Sequence, residues 1–97
     1  MSLFLFRLLP PRADFAQTLT PGEQEVMRRH AAYWDQLLAD DRVVVFGPVA
    51  DPEGMWGLGV VRAEKQEDVI LLGQNDPAIA SGVAEFDVME IIGGRTG

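Results

Sequence analysis

The 97-residue chain has no cysteine and a single histidine, His30. The first absence excludes a disulfide framework, a thiolate nucleophile and a thiolate metal site. The second excludes a metal site built from several histidines of one chain. Basic residues are few. Eight Lys and Arg stand against fifteen Asp and Glu, a formal net charge of −7. Nucleic acid and anionic membrane surfaces both require a basic footprint, so neither is an expected partner. Only two serines occur, Ser2 and Ser81, and neither lies in a nucleophile motif. No apolar run approaches the ~20 residues of a membrane span. The opening "MSLFLFRLLPPR" is apolar, but it lacks a basic start, is interrupted by Arg7 and leads to no small-residue cleavage site. It reads as a strand. The expectation is a soluble, cytoplasmic protein, with residues 1–97 forming one small domain.

The remaining residues give clear punctuation. Residues 2–9 form an apolar segment that stops at Pro10-Pro11. "ADFAQTL" reads as a loop. Thr20, Pro21 and Glu23 then supply an N-cap, a first-turn proline and the far half of a capping box. Val26, Met27, Tyr33, Trp34, Leu37 and Leu38 follow at helical spacing, with His30 among them. The helix is expected to end near "ADD". "RVVVFGP" reads as a second strand, and Pro48 places its end at a sheet edge. "ADPEG" is a turn, "MWGLGVVRA" a third strand and "EKQEDVILLGQN" a second helix. In "DPAIASG", Asp76 caps one helical turn, Pro77 opens it and Gly82 stops it. "AEFDVMEII" is the fourth strand.

The order βαββαβ predicts an α+β, ferredoxin-like fold: a four-stranded antiparallel sheet with both helices on one face. The helix-free face of such a sheet usually alternates polar with apolar. Here both faces are apolar. Leu3, Leu5 and Leu9 oppose Phe4, Phe6 and Leu8 in strand one, and Val43 and Val45 oppose Val44 and Phe46 in strand two. Something is expected to cover the second face. A second copy is the economical choice and would make a dimeric α/β barrel; a different partner or a neighbouring domain would serve equally.

His30 is the first chemical candidate. It reads either as a satisfied core histidine or as a general base held in one tautomer by a carboxylate. Asp76 is the second, as a helix cap, as the carboxylate oriented towards His30, or as both at once. Gly57 and Gly59 fall on one face of strand three, where close packing is the simpler explanation. They make no phosphate loop, because no helix opens after them. Tyr33 and Trp34 read as core. Arg7 and Arg62 read as solvated strand ends, or as anion contacts if they point into a cleft. No cofactor motif and no metal-ligand set is present, so neither group is expected.

His30 in helix one, the strand "VVVFGP" ending in Gly47-Pro48, the glycine-bearing third strand and "NDPAIASG" after helix two occur together in one order and spacing. In this the chain resembles the YciI-like family from strand one to strand four. The resemblance implies a ferredoxin-like subunit, a homodimer joined through the helix-free sheet face, and a cleft holding a His–Asp pair, which maps to His30 and Asp76. Asp41 departs from the pattern, standing where the family often has glycine in the turn after helix one. Some relatives are enzymes of aromatic breakdown, a dehydrochlorinase among them. The expected function is therefore cofactor-independent proton transfer by His30, supported by Asp76, on a small aromatic or lactone-like molecule. Isomerisation or elimination would be the reaction type. The alternative is a dimeric module that binds a small molecule without converting it.

Overall fold

A computed structural model describes residues 1–97. Strand β1 (Ser2–Leu9) is followed by a 3-10 turn at Phe15–Gln17 and by helix α1 (Pro21–Ala39). Strands β2 (Val43–Val49) and β3 (Trp56–Ala63) come next, then helix α2 (Gln66–Gln74), the single turn α3 (Pro77–Ala80) and strand β4 (Glu85–Ile91). The four strands form one sheet in the order β2-β3-β1-β4, with every neighbouring pair antiparallel. This is the expected ferredoxin-like topology, with β2 at an edge.

The punctuation residues act as their chemistry dictates. The Thr20 side chain accepts from the Glu23 amide while Glu23 accepts from the Thr20 amide, completing the capping box. Such a cap satisfies amides that the first helical turn leaves unpaired. After α1 the chain reverses at Asp41, whose φ is 60°. This is the left-handed turn where the family pattern favours glycine, and Asp tolerates it better than most residues. The segment between β1 and α1 is pinned rather than loose. Arg12 donates to both carboxylate oxygens of Glu23 at 3.0 and 2.8 Å and to the Thr18 hydroxyl at 2.8 Å. The buried ring of Phe15 lies beneath the Arg12 guanidinium.

The core fills the space between the sheet and the helices. Phe4, Phe6 and Leu8 of β1 point inward against Val26, Trp34 and Leu37 of α1 and Val69 and Leu72 of α2. Phe6 lies between Trp34 and Phe86, at ring separations of 4.7 and 5.4 Å. Leu38 departs from the expected stripe and is exposed. A helix repeats every 3.6 residues, so Leu37 and Leu38 stand about 100° apart and only one can face the sheet squarely. At Gly73 of α2 an added Cβ would collide with the Phe86 ring, so glycine sets the approach of α2 to β4.

Strand β2 corrects the expected alternation. Val43 pairs with Val61, but Val45 pairs with Val60, leaving Val44 as a bulge. The extra residue moves Val43 and Phe46 to the inner face and turns Val45 outward. A strict period of two would have put Val43 and Val45 on one face.

The outer face carries Leu3, Leu5, Leu58, Val60 and Met89 around one ion pair. Arg7 donates to both Asp87 oxygens at 2.9 and 2.6 Å, and its guanidinium lies 5.7 Å from the Trp56 ring centre. The single chain is an open sheet, with Val45 and Met89 nearly half exposed on that face. No helix is long and apolar enough to cross a membrane.

Candidate functional site

The site is assembled where α1 crosses the N-terminus of α3. His30 and Trp34 stand four residues apart on α1, hence one above the other on the same side of the helix. Asp76 faces both from the N-cap of α3. The local sequence dictates that position. Pro77 fixes the first helical residue, and the Asp76 Oδ1 accepts from the Ala78 amide at 2.9 Å.

The Asp76 carboxylate is completely buried and takes hydrogen bonds from three groups. His30 Nδ1 lies 2.9 Å from Oδ1 and 2.8 Å from Oδ2. Trp34 Nε1 donates to Oδ2 at 2.7 Å. The Ala78 amide is the third. An ionised carboxylate only accepts, so the proton on this edge of the imidazole sits on Nδ1. That tautomer places the lone pair on Nε2. Nε2 makes no hydrogen bond within the protein, and no buried side-chain nitrogen or oxygen is left without a partner. Nε2 is therefore open to the space in front of it.

That space is a cleft of about 290 Å³, between the inner face of the sheet, the first half of α1 and the 3-10 turn. Phe6, Phe46, Met27, Phe15 and Trp56 contribute apolar walls, and His30 is the only ionisable side chain on them. Both indoles on the walls have committed their N–H groups, Trp34 to Asp76 and Trp56 to Asp51 at 3.1 Å. His30 Nε2 is thus the one free polar side-chain atom that the cleft offers. Gly57 also lies on the wall, next to Leu8.

Sequence reasoning placed His30 and Asp76 at the site, and the fold brings them into contact across a sequence separation of 46. It assigned Trp34 to the core alone. Trp34 is core, but it is also an Asp76 donor. The signal was its spacing from His30, together with the need of a buried indole N–H for an acceptor. Tyr33 is structural: its hydroxyl donates to the Leu72 carbonyl at 2.7 Å. Burial and the Asp76 charge push that phenol above its ordinary range. Neither arginine enters the cleft, because Arg7 pairs with Asp87 on the outer sheet face and Arg62 with Asp41 at a strand end. Gly59 has the close-packing role expected of it, since it lies against the Trp34 ring. No group of three or more His, Cys, Asp or Glu side chains is arranged as metal ligands would be.

A family model for the YCII-related domain matches residues 7–92. The uncharacterized protein YjpA of Bacillus subtilis (strain 168) is 36% identical over 67 residues, covering 69% of this chain and 76% of that protein. The structure also superposes on 5-chloro-2-hydroxyhydroquinone dehydrochlorinase (TftG) from Burkholderia phenoliruptrix AC1100, solved in complex with 2,5-dihydroxybenzoquinone. The TM-score is 0.70 with 95% of each chain covered, and the sequence identity is 22%. At that identity the likeness speaks to the fold.

Proposed function

The chain belongs to the YCII-related domain family, and on that footing we propose that it is a small acid–base enzyme in which His30 moves a proton within the apolar cleft. The observation that carries this reading is the division of labour on one imidazole. Nδ1 is bound to a buried carboxylate, while Nε2 has no partner within the protein and His30 lines an apolar cleft.

The chemistry follows from that geometry. Nε2 accepts a proton from an acidic C–H or O–H of the bound molecule. The imidazolium that forms stays paired to Asp76, which remains ionised. In an isomerisation the same proton returns to another carbon. In an elimination the C–H electron pair, at an sp3 carbon of a lactone or of the keto form of a phenol, becomes the new double bond, and the leaving group departs with its own bonding pair. The imidazolium then gives its proton to water. The structural neighbour named above is a dehydrochlorinase of a hydroxylated ring, which makes loss of a leaving group from such a ring a specific form of the proposal.

The cleft bounds the substrate. A cavity of roughly 150 Å³ takes a benzene-sized molecule, so about 290 Å³ suits one substituted ring. With a single free polar side-chain atom on the walls, a second polar group that reached no backbone partner there would lose its water at a cost of about 1–3 kcal/mol. The proposed substrate is a small aromatic or lactone with one reactive polar edge directed at His30.

Two copies packed through their outer sheet faces form the proposed assembly. The motive is the apolar field around Leu5, Val60 and Met89, which the single chain leaves uncovered.

Deuterium exchange tests the proposal. A panel of phenols, hydroxyquinones and lactones is incubated in heavy water with the wild type and with His30→Ala. Exchange or turnover that needs His30 supports the enzyme. The competing reading is ligand capture without conversion, favoured by the lack of a second ionisable group on the walls. Tight retention of a panel member, with no exchange and no turnover, would establish that reading instead.

A further inference from the structure

We infer that Trp34 is a positioning residue of the site: its indole N–H fixes the Asp76 carboxylate and shares its charge, so that His30 keeps its proton on Nδ1 and presents Nε2 to the cleft. The inference rests on His30 being the working group, but its readout requires no turnover.

The geometry shows why a third donor matters. A carboxylate is free to rotate about its Cβ–Cγ bond unless both oxygens are held. Here the Ala78 amide holds Oδ1 at 2.9 Å and Trp34 Nε1 holds Oδ2 at 2.7 Å. With both ends fixed, the plane of the carboxylate is set, and Nδ1 meets both oxygens almost equally, at 2.9 and 2.8 Å. Removing the Trp34 donor would leave Oδ2 held by His30 alone.

Charge follows the same route. Each N–H directed at a carboxylate stabilises the anion and lowers its affinity for a further proton. Trp34 therefore limits how strongly Asp76 pulls on the imidazole proton. It does so in a place that water cannot enter, since Trp34 and Asp76 are at most 1% exposed. His30 is the only ionisable group in contact with Asp76. The Tyr33 phenol also feels its charge, with Arg42 acting on that phenol in the opposite sense. The cleft side contributes no charge other than His30.

The indole is itself held in place. A Cβ at position 59 would lie 2.6 Å from Trp34 Cζ3, so only glycine in β3 lets the ring lie this deep. Phe6 and Phe46 flank it at ring separations of 4.7 and 6.0 Å. The acceptor that this buried N–H needs is the same carboxylate that holds His30.

The test is an NMR titration of the full chain. The single histidine gives one imidazole spin system, and Trp56→Phe identifies which indole signal belongs to Trp34. In the wild type the Trp34 Nε1–H resonance should move with the same midpoint as the His30 ring nitrogens. In Trp34→Phe the His30 midpoint should rise by about half a unit, whereas Asp76→Asn should lower it. Loss of packing alone would not produce opposite signs. An indole resonance that stays flat while His30 titrates would overturn the inference, as would a folded Trp34→Phe with an unmoved His30 midpoint. If Trp34→Phe does not fold, the wild-type indole resonance decides alone. A chain that turns nothing over but shows the linked titration loses its enzymatic reading and keeps this one.

Discussion

Trp34 lies against Gly59 so closely that one added methyl group has no room: the new carbon would be 2.6 Å from Cζ3 and 2.7 Å from Cη2 of the indole. The obstacle is a rigid ring packed between Phe6 and Phe46. It cannot step aside as a flexible side chain would. Gly59→Ala should therefore destabilise the fold by about 1–3 kcal/mol, the usual cost of overpacking. Urea unfolding measures this. A loss below about 0.5 kcal/mol would mean that the indole can shift at little cost.

Asp76 should be worth more than a helix cap. Replacing an N-cap aspartate by alanine costs about 1 kcal/mol. Asp76→Ala also strands the Trp34 N–H and the Nδ1–H of His30, and an unpaired buried donor costs a further ~1–3 kcal/mol. The total should reach several kcal/mol by denaturant unfolding. A loss of only about 1 kcal/mol would show that the carboxylate acts as a cap alone.

Glu23 predicts an acid-sensitive step. Hydrogen bonds from Arg12, assisted by the Thr20 amide, hold its carboxyl well below the ordinary range, at about 2. A folded-state value below the unfolded one adds stability at high pH that is lost as pH falls. The contribution is complete above about 4.5 and disappears towards about 2. Melting temperatures of the wild type and Glu23→Gln should therefore differ at neutral pH and converge across that window. A constant difference from pH 7 down to pH 2 would contradict the assignment.

Leu5 sits mid-strand on the outer face, between Val60 and Met89. If two sheets meet there, Leu5→Glu should bury a carboxylate opposite its own copy and split the assembly. Light scattering should give twice the chain mass for the wild type and the single-chain mass for the variant. A wild type that stays monomeric at high micromolar concentration would remove the proposed interface.

Much of this molecule was legible in its letters. Thr20-Pro21 and Asp76-Pro77 announce helix starts because the capping chemistry is local, confined to three or four residues. Gly82, at φ 79°, marks a stop for the same reason. What stayed hidden depends on distant strands. The bulge at Val44 is set by pairing with β3, so a strict alternation misassigned the faces around Val45. The pairing of Arg7 with Asp87 needs β1 and β4 side by side, across 80 positions of sequence. The contact of His30 with Asp76 was an expectation that only the fold could bring about. Trp34 was hidden by its own suitability for the core. A large apolar ring explains its burial so fully that its one polar atom attracts no notice.

The placement of Asp76 at the N-cap of α3 has a consequence for the stability of the site. The turn Pro77–Ala80 is four residues long and is held at its start by the bond from the Ala78 amide to Asp76. An opening of this turn would take the Ala78 amide from the carboxylate and leave Trp34 and His30 alone to hold it. Closure of this short segment therefore supplies one of the three holds on the carboxylate that orients the imidazole. The exchange rate of one amide hydrogen, that of Ala78, would report how often this hold is released in the resting protein.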